Sequence, residues 1–336
     1  MTVKSNLKRF LKWELFLFIF LVGELIFFGL LTPSFLNVQN LLFSINDFAY
    51  IGLAAIPMTF VIITGGIDVS VGSIMGLSSI TVGVLWAGGL NIWVALIIAL
   101  IVCALAGLLN GLIVAYTDVQ PLVVTLGTMF LFAGIALVIS GGSSATGYEG
   151  ISGFPNSFVQ IANGITLGLP NSIWLILFFL LIFGVLLHLT KYGRNVYLVG
   201  INMKAAKYSG IATKWIVMST YMLAGLGGGI SGIILTSYFS SARSDLGAQA
   251  ILPVITAVVL GGTSILGGRG TVLGTVIASI VVGMMNYGLQ LSGMTSEQTT
   301  IIVGGMLIVA VVMRRFNINY VKKWFVANGS TTTKGS

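Results

Sequence analysis

Long apolar stretches, separated by short polar breaks, run through almost the whole chain. The stretches are continuous rather than alternating, which favours membrane-spanning helices over the strands of a β-barrel. At about 20 residues per crossing, a chain of 336 residues accommodates roughly ten spans, so we predict an all-α membrane protein. The predicted spans cover residues 13–31, 48–63, 70–86, 93–116, 121–139, 173–189, 215–235, 251–260, 271–291 and 300–313.

Two of the polar breaks are rich in glycine. The first, residues 64–73, reads Thr-Gly-Gly-Ile-Asp-Val-Ser-Val-Gly-Ser, and the second, residues 261–270, reads Gly-Gly-Thr-Ser-Ile-Leu-Gly-Gly-Arg-Gly. Glycine releases the backbone from helical angles, and Asp68 and Ser70 can cap the helix that restarts. A carboxylate at membrane depth must face protein or water. Asp68 therefore marks either a broken helix along a polar path or an N-cap at a cytoplasmic turn, and both interpretations stay open.

The two breaks repeat one pattern at a constant offset of 196 residues. At that offset, Pro57 matches Pro253 and three glycines of the first break match three of the second. Paired interrupted helices in two halves of a membrane protein are typical of a transport path. The predicted pathway residues are Gly65, Gly66, Asp68, Ser70, Gly261, Gly262, Thr263 and Ser264.

Composition excludes a large soluble domain. The chain is 57% hydrophobic and 7% charged, against about 25% charged residues in soluble proteins. We predict one membrane domain over residues 1–328 and a polar, disordered tail at 329–336. The basic N-terminus precedes an apolar run with no small-residue cleavage site, so we predict a retained first span rather than a signal peptide. The net charge of +8 follows from basic cytoplasmic segments and predicts no nucleic-acid partner.

Basic residues also predict the topology. They cluster at the N-terminus, after residue 313, and in one loop at Lys191, Arg194, Lys204, Lys207 and Lys214. Because basic loops stay in the cytoplasm, we predict that both termini and the 191–214 loop are cytoplasmic, with residues 140–171 outside. Within the basic loop, Asn202 can cap a short helix that Gly210 ends. Such a helix is suited to docking a partner, and an ordinary basic loop is the alternative.

The remaining candidate residues give weaker indications of function. Arg243 and Asp245 lie in a predicted outer segment, 238–249, and we expect them to shape the outer mouth; a local ion pair is the alternative. Cys103 and His188 are each the only residue of their type, so we predict neither a disulfide within the chain nor a metal site. Gly227–Gly232 fits G-x-G-x-x-G but lies inside a span, where it favours close helix packing. We predict no catalytic residues and no cofactor.

Four segments together resemble the permease subunits of ATP-binding-cassette importers of the ribose, galactose and autoinducer-2 class. They are residues 64–73, 193–196, 202–211 and 257–270, and residues 145–155 and 237–247 are similar to the autoinducer-2 importers in particular. The resemblance implies a multi-pass inner-membrane subunit that forms half of a path for a small, neutral, sugar-like solute. It also implies three partners in or at the lipid bilayer: a second permease, a cytoplasmic ATPase and a periplasmic binding protein.

The same resemblance implies that the short helix of the basic loop contacts the ATPase. The implied coupling residues are Asn202, Lys204, Ala205, Ala206 and Gly210, and Lys204 departs from the acidic residue usual in the family. Two alternatives are a permease of the same class for ribose or another sugar, and an ion-coupled secondary transporter. The second is disfavoured because only Glu24 and Asp68 are plausible intramembrane carboxylates. A membrane-embedded enzyme would need a nucleophile–base or metal constellation, which the sequence lacks.

Overall fold

The structure, a computed structural model, describes residues 3–141 and 150–315. The predicted tail at 329–336 and residues 142–149 of the predicted outer loop lie outside the described residues. The helices are α1 Val3–Leu31, α2 Val38–Ile63, α3 Val71–Ala87, α4 Ile92–Tyr116, α5 Pro121–Ile139, α6 Asn156–Asn163, α7 Asn171–His188, α8 Lys191–Ile201, α9 Met203–Tyr208, α10 Thr213–Phe239, α11 Ile251–Leu260, α12 Val272–Leu291 and α13 Ser296–Arg315. A 3₁₀ turn, Pro33–Leu36, joins α1 to α2, and the strands β1 Ile165–Thr166 and β2 Leu169–Pro170 form a small antiparallel hairpin.

Seven of the described helices are long and apolar enough to cross a membrane. Three shorter apolar helices, Val71–Ala87, Ile251–Leu260 and Ser296–Val312, coincide with three further predicted spans. The predicted helical, multi-pass membrane fold is therefore confirmed, while the count of ten crossings and the side of each terminus stay predictions.

The second helix begins earlier than the sequence suggested. We predicted a span over residues 48–63, but α2 already starts at Val38. The side chain of Asn37 accepts hydrogen bonds from the backbone N–H groups of Gln39 and Asn40, at 2.9 and 3.4 Å. This N-cap stabilises the first turn, so the helix propagates through the polar residues that looked like a helix boundary.

Helix α10 lies at the centre of the bundle, in contact with α2, α3 and α4. Its glycines lie where neighbouring backbones approach: Gly225 faces Gly107 on α4, and Gly227 faces Pro57 on α2. A Cβ on Gly232 would collide with the backbone of α3 at Met75. The glycine cluster of α10 therefore serves close helix packing, as predicted.

The helices on either side of the first break run in opposite directions along α10. Later residues of α2 meet earlier residues of α10, whereas later residues of α3 meet later residues of α10. The contacts pair Tyr50 with Ser231, Pro57 with Gly227, Ser78 with Gly229 and Ser79 with Thr236. The first break is therefore a connection between two antiparallel helices, not an interruption within one continuous span.

The segment after α10, which we predicted to be an outer segment over residues 238–249, packs along α3. Ser240 adopts a left-handed conformation, with φ of 52°, and ends α10. The chain then returns along α3, where a Cβ on Gly76 would strike the carbonyl of Ser244 and one on Gly72 the carbonyl of Gly247. The glycines of α3 let this backbone approach closely, and α11 starts from it within the bundle.

Candidate functional site

The first break is a buried crossover that starts at the end of α2. Gly65, with φ of 86°, turns the chain away from the helix, and α3 begins at Val71. Asp68 is fully buried, and its Oδ1 accepts hydrogen bonds from the backbone N–H and the hydroxyl of Ser70, at 2.9 and 2.6 Å. Asp68 therefore binds Ser70, which is the N-cap residue of α3. We expected the Ser70 side chain to cap this helix, but its hydroxyl donates to Asp68 instead.

Two neighbouring helices hold this crossover in place. The side-chain amide of Asn110 on α4 donates to the Ser70 hydroxyl at 2.8 Å. The hydroxyl of Thr125 on α5 donates to the carbonyl of Ile67 at 3.1 Å. These bonds satisfy backbone and side-chain groups that would otherwise be unpaired far from water. The crossover is thus part of the core rather than a free loop.

The polar centre of the crossover is closed in this conformation. A Cβ on Gly66 would collide with the hydroxyl of Tyr221, which is fully buried. The second carboxylate oxygen of Asp68, Oδ2, and the amide oxygen of Asn110 have no hydrogen-bond partner among the described residues. Of the first-break candidates only Gly65 is exposed, while Gly66, Asp68 and Ser70 are buried.

The second break has the same local form. Gly261 follows the end of α11, and Gly262, with φ of 105°, turns the chain as Gly65 does. Thr263 is fully buried, and Ser264 closes the turn by donating its N–H to the carbonyl of Arg269 at 2.9 Å. The next helix, α12, is capped by Thr271, whose hydroxyl accepts from the N–H of Gly274 at 3.0 Å.

The second break contacts the C-terminal end of α2, where the first break begins. The N–H of Gly268 donates to the carbonyl of Ile63 at 2.8 Å, so a residue of the second break pairs with one of the last carbonyls of α2. Helix termini leave such carbonyls without partners inside the helix. Gly267 and Gly268 have φ of 83° and 72°, which glycine adopts without strain. The sequence predicted two similar breaks but not their direct contact.

The basic loop contains the predicted capped helix, α9. The side chain of Asn202 accepts the N–H of Ala205 at 3.0 Å, and Gly210, with φ of 80°, follows the end of the helix. Ala205 and Lys204 are exposed, whereas Ala206 is 5% exposed and packs inward. Only one of the two alanines can therefore meet a partner.

Helix α8 connects α9 to the end of α2 and to the second break. Gly200 lies against the Ile63 carbonyl and the Gly268 N–H, with no room for a Cβ. The Tyr197 hydroxyl donates to the carbonyl of Gly270 at 2.7 Å. Burial raises the pKa of Tyr197, so the phenol stays neutral and remains a donor. We call Ile63, Tyr197, Gly200, Gly268 and Gly270 the inner junction.

The predicted outer-mouth pair forms a bidentate ion pair. Arg243 Nε and Nη2 donate to the two carboxylate oxygens of Asp245 at 2.9 and 2.5 Å, and both side chains are about one-third exposed. The backbone N–H of Arg243 donates to the Ser79 hydroxyl at 3.0 Å. The pair lies on the returning segment beside α3, and its contact with a binding protein stays a prediction.

Sequence reasoning missed several residues of the site, above all Asn110, Tyr221 and Tyr197. Asn110 had a visible signal, because it is the only strongly polar side chain between Trp93 and Tyr116. A buried amide in a membrane helix needs partners, so it indicates a neighbouring polar group. The tyrosines gave no such signal, since aromatic residues are frequent in the whole chain.

Comparison with known proteins identifies the family. The family model described as branched-chain amino acid transport system / permease component matches residues 40–311. The chain is 46% identical over 314 residues to the autoinducer 2 import system permease protein LsrD of Escherichia coli (strain K12) and to that of Shigella flexneri, covering 93% of this chain and 95% of each relative.

A solved structure, PsaBC from Streptococcus pneumoniae in complex with Fab, matches 86% of this chain and 95% of its own chain at 14% identity and a TM-score of 0.46. The resemblance drawn from the motifs is confirmed by the family model and the curated relatives. The chain belongs to the family of branched-chain amino acid transport system permease components.

Proposed function

We propose that this chain is the permease subunit of an ATP-driven importer for autoinducer 2 in the bacterial inner membrane. The relatives that are 46% identical over nearly their whole length carry that activity in their names. The chain would form half of the path for this small, neutral, sugar-like solute. A second permease would supply the other half, a periplasmic binding protein would deliver the solute, and a separate cytoplasmic ATPase would drive transport.

The observation that carries the mechanism is the connection from α9 to both breaks. Helix α9 presents Lys204 and Ala205 at the surface, and Tyr208 is 92% exposed. Two residues before α9 begins, Ile201 ends α8, and its neighbour Gly200 touches the backbone of Ile63 at the end of α2 and of Gly268 in the second break. A partner that moves α9 would therefore displace the end of α2 and the second break that leads into α12.

This arrangement suits a subunit that receives work from another chain. Close backbone packing transmits displacement, because packed interiors have few voids to absorb it. The Asp68 crossover lies next along the same connection, since it begins one residue after Ile63. We infer that displacement of the inner junction opens the closed polar centre around Asp68 to the translocation path.

Uptake in cells that lack their own autoinducer 2 permease tests the function. Expression of this chain with its second permease, ATPase and binding protein should restore uptake of labelled autoinducer 2, and ribose in excess should not compete. Uptake should stop when the ATPase carries an inactive nucleotide site and persist when a protonophore collapses the ion gradient at constant ATP. Uptake that follows the gradient instead would favour the ion-coupled carrier, and competition by ribose would favour a sugar permease of the same class.

A further inference from the structure

We propose that Asp47, with Tyr238 as its hydrogen-bond donor, forms a solute site on the outer half of this permease. The inference rests on the proposed function, because it names a group that would bind the neutral, hydroxyl-rich solute within the chain. Asp47 was not among the candidates from the sequence, where it lies directly before the predicted span at 48–63. The structure places it inside the long apolar helix α2.

The position of Asp47 requires water or protein beside it. From Ser44 to Thr64, Asp47 is the only residue of α2 that is exposed on the surface of the chain. A carboxylate on a membrane helix costs several kcal/mol if it faces lipid. The described residues give Asp47 no cationic partner, since their only ion pair joins Arg243 to Asp245. The exposed face of α2 at Asp47 fits a water-filled path between this chain and the second permease.

A phenol holds the carboxylate in place and leaves it able to bind more. The hydroxyl of Tyr238 donates to Oδ1 of Asp47. The backbone of Tyr238 is itself anchored, because the side-chain amide of Asn163 donates to its carbonyl at 3.3 Å. A carboxylate has about four acceptor positions, and Tyr238 uses one of them. Asp47 is thus a positioned acceptor with free capacity on an exposed face.

A second tyrosine lies one helical turn after the carboxylate. Tyr50 follows Asp47 by three residues on α2, so both side chains lie on the same side of the helix, and Tyr50 is half-buried. A carboxylate acceptor among phenols and aromatic faces suits a neutral polyol, whose hydroxyls donate to the carboxylate and whose C–H groups lie on the rings.

The same helix joins this site to the inner junction. Asp47 and Ile63 are 16 residues apart on α2, which is about 24 Å of helix. Residues 48, 49 and 51–63 are buried in the bundle, so α2 moves as one packed element. When α9 displaces Ile63, the whole of α2 shifts, and the carboxylate of Asp47 shifts with it.

The test uses the whole importer reconstituted in vesicles, with labelled autoinducer 2 and saturating loaded binding protein. Asp47→Asn should lower the maximal uptake rate about tenfold, because the solute loses a hydrogen bond to a charged group. Tyr238→Phe should lower uptake less, since the carboxylate remains. ATP hydrolysis without solute should stay unchanged in both variants, which separates a solute site from a structural role. The matched control is Asp118→Asn, an exposed carboxylate in the turn between α4 and α5.

Several results would overturn the solute site. Normal uptake by Asp47→Asn, loss of the second permease from the complex, or a change confined to dependence on cations would each assign Asp47 another role. If Asp47→Asn accumulates poorly, Asp47→Glu keeps the charge and should retain most of the uptake per assembled complex; loss of uptake there would contradict the site. A wild-type assembly that does not carry autoinducer 2 would refute the proposed function and the solute site with it.

Discussion

Replacing Gly200 by alanine tests whether the inner junction transmits motion from α9 to α2 and the second break. A Cβ at this position would overlap the carbonyl oxygen of Ile63 and lie 2.6 Å from the backbone nitrogen of Gly268. Those two atoms form a 2.8 Å hydrogen bond, so α8 must move away or the bond must break. Either change weakens the contact that joins α8 and α9 to the end of α2 and to the second break.

The magnitude follows from three terms. Overpacking a well-packed site costs about 1–3 kcal/mol, and leaving a buried backbone group unpaired costs about 1–3 kcal/mol. Alanine in a helix recovers about 0.5–1 kcal/mol relative to glycine. The net destabilisation of Gly200→Ala is therefore about 1–5.5 kcal/mol. If α8 shifts instead, stability is largely kept and coupling is lost.

The assay is thermal unfolding of the purified chain together with uptake and ATP hydrolysis by the reconstituted importer. Gly200→Ala should lower the melting temperature by several degrees or lower uptake per ATP hydrolysed. Gly184→Ala is the matched control, because no atom lies within 4 Å of a Cβ at that position on α7. Unchanged melting temperature and unchanged uptake in Gly200→Ala would refute the transmission argument.

Three further predictions address the topology, the crossover and the coupling helix. A cysteine at Leu167, 85% exposed, should react with an impermeant reagent added outside, and one at Lys204 should not; the reverse labelling would contradict the topology. Asp68→Asn should preserve assembled protein, because an amide still accepts at this position, whereas Asp68→Leu should reduce it; equal amounts of both would contradict the crossover role. Ala205→Trp should weaken ATPase binding without loss of membrane protein. Ala206→Trp should instead lower the stability of the chain, because the buried side chain overpacks its site. Full ATPase binding by Ala205→Trp would show that the ATPase docks elsewhere.

The sequence determined the elements and their approximate ends. Apolar runs of about 20 residues must be helices in a bilayer, because no water is present to satisfy an unpaired backbone. Local chemistry likewise determined where some helices start and stop: Asn202 caps α9, Gly210 follows it, and glycines turn the chain after α2 and α11. These signals act over a few residues, so they are visible in one sequence.

Boundaries failed where a local signal was outweighed or misjudged. Polar residues before Phe48 suggested that the span starts there, but the cap at Asn37 and packing of α2 against the bundle extend the helix through them. The residues after Tyr238 looked like an outer loop because they are polar and include a charged pair. Glycines on α3 allow this backbone to return into the bundle, and that requires knowing which helix lies opposite.

Only the tertiary structure decided which residues meet. The contact of Gly268 with Ile63 joins residues 205 positions apart, and Gly200 reaches both. Asp47 and Tyr238 are 191 positions apart and come together because α2 and α10 run antiparallel. No periodicity or cap encodes such pairs, since they depend on how α10 packs among α2, α3 and α4. The sequence therefore determined that the chain spans the membrane in helices, and long-range packing decided where its polar groups face one another.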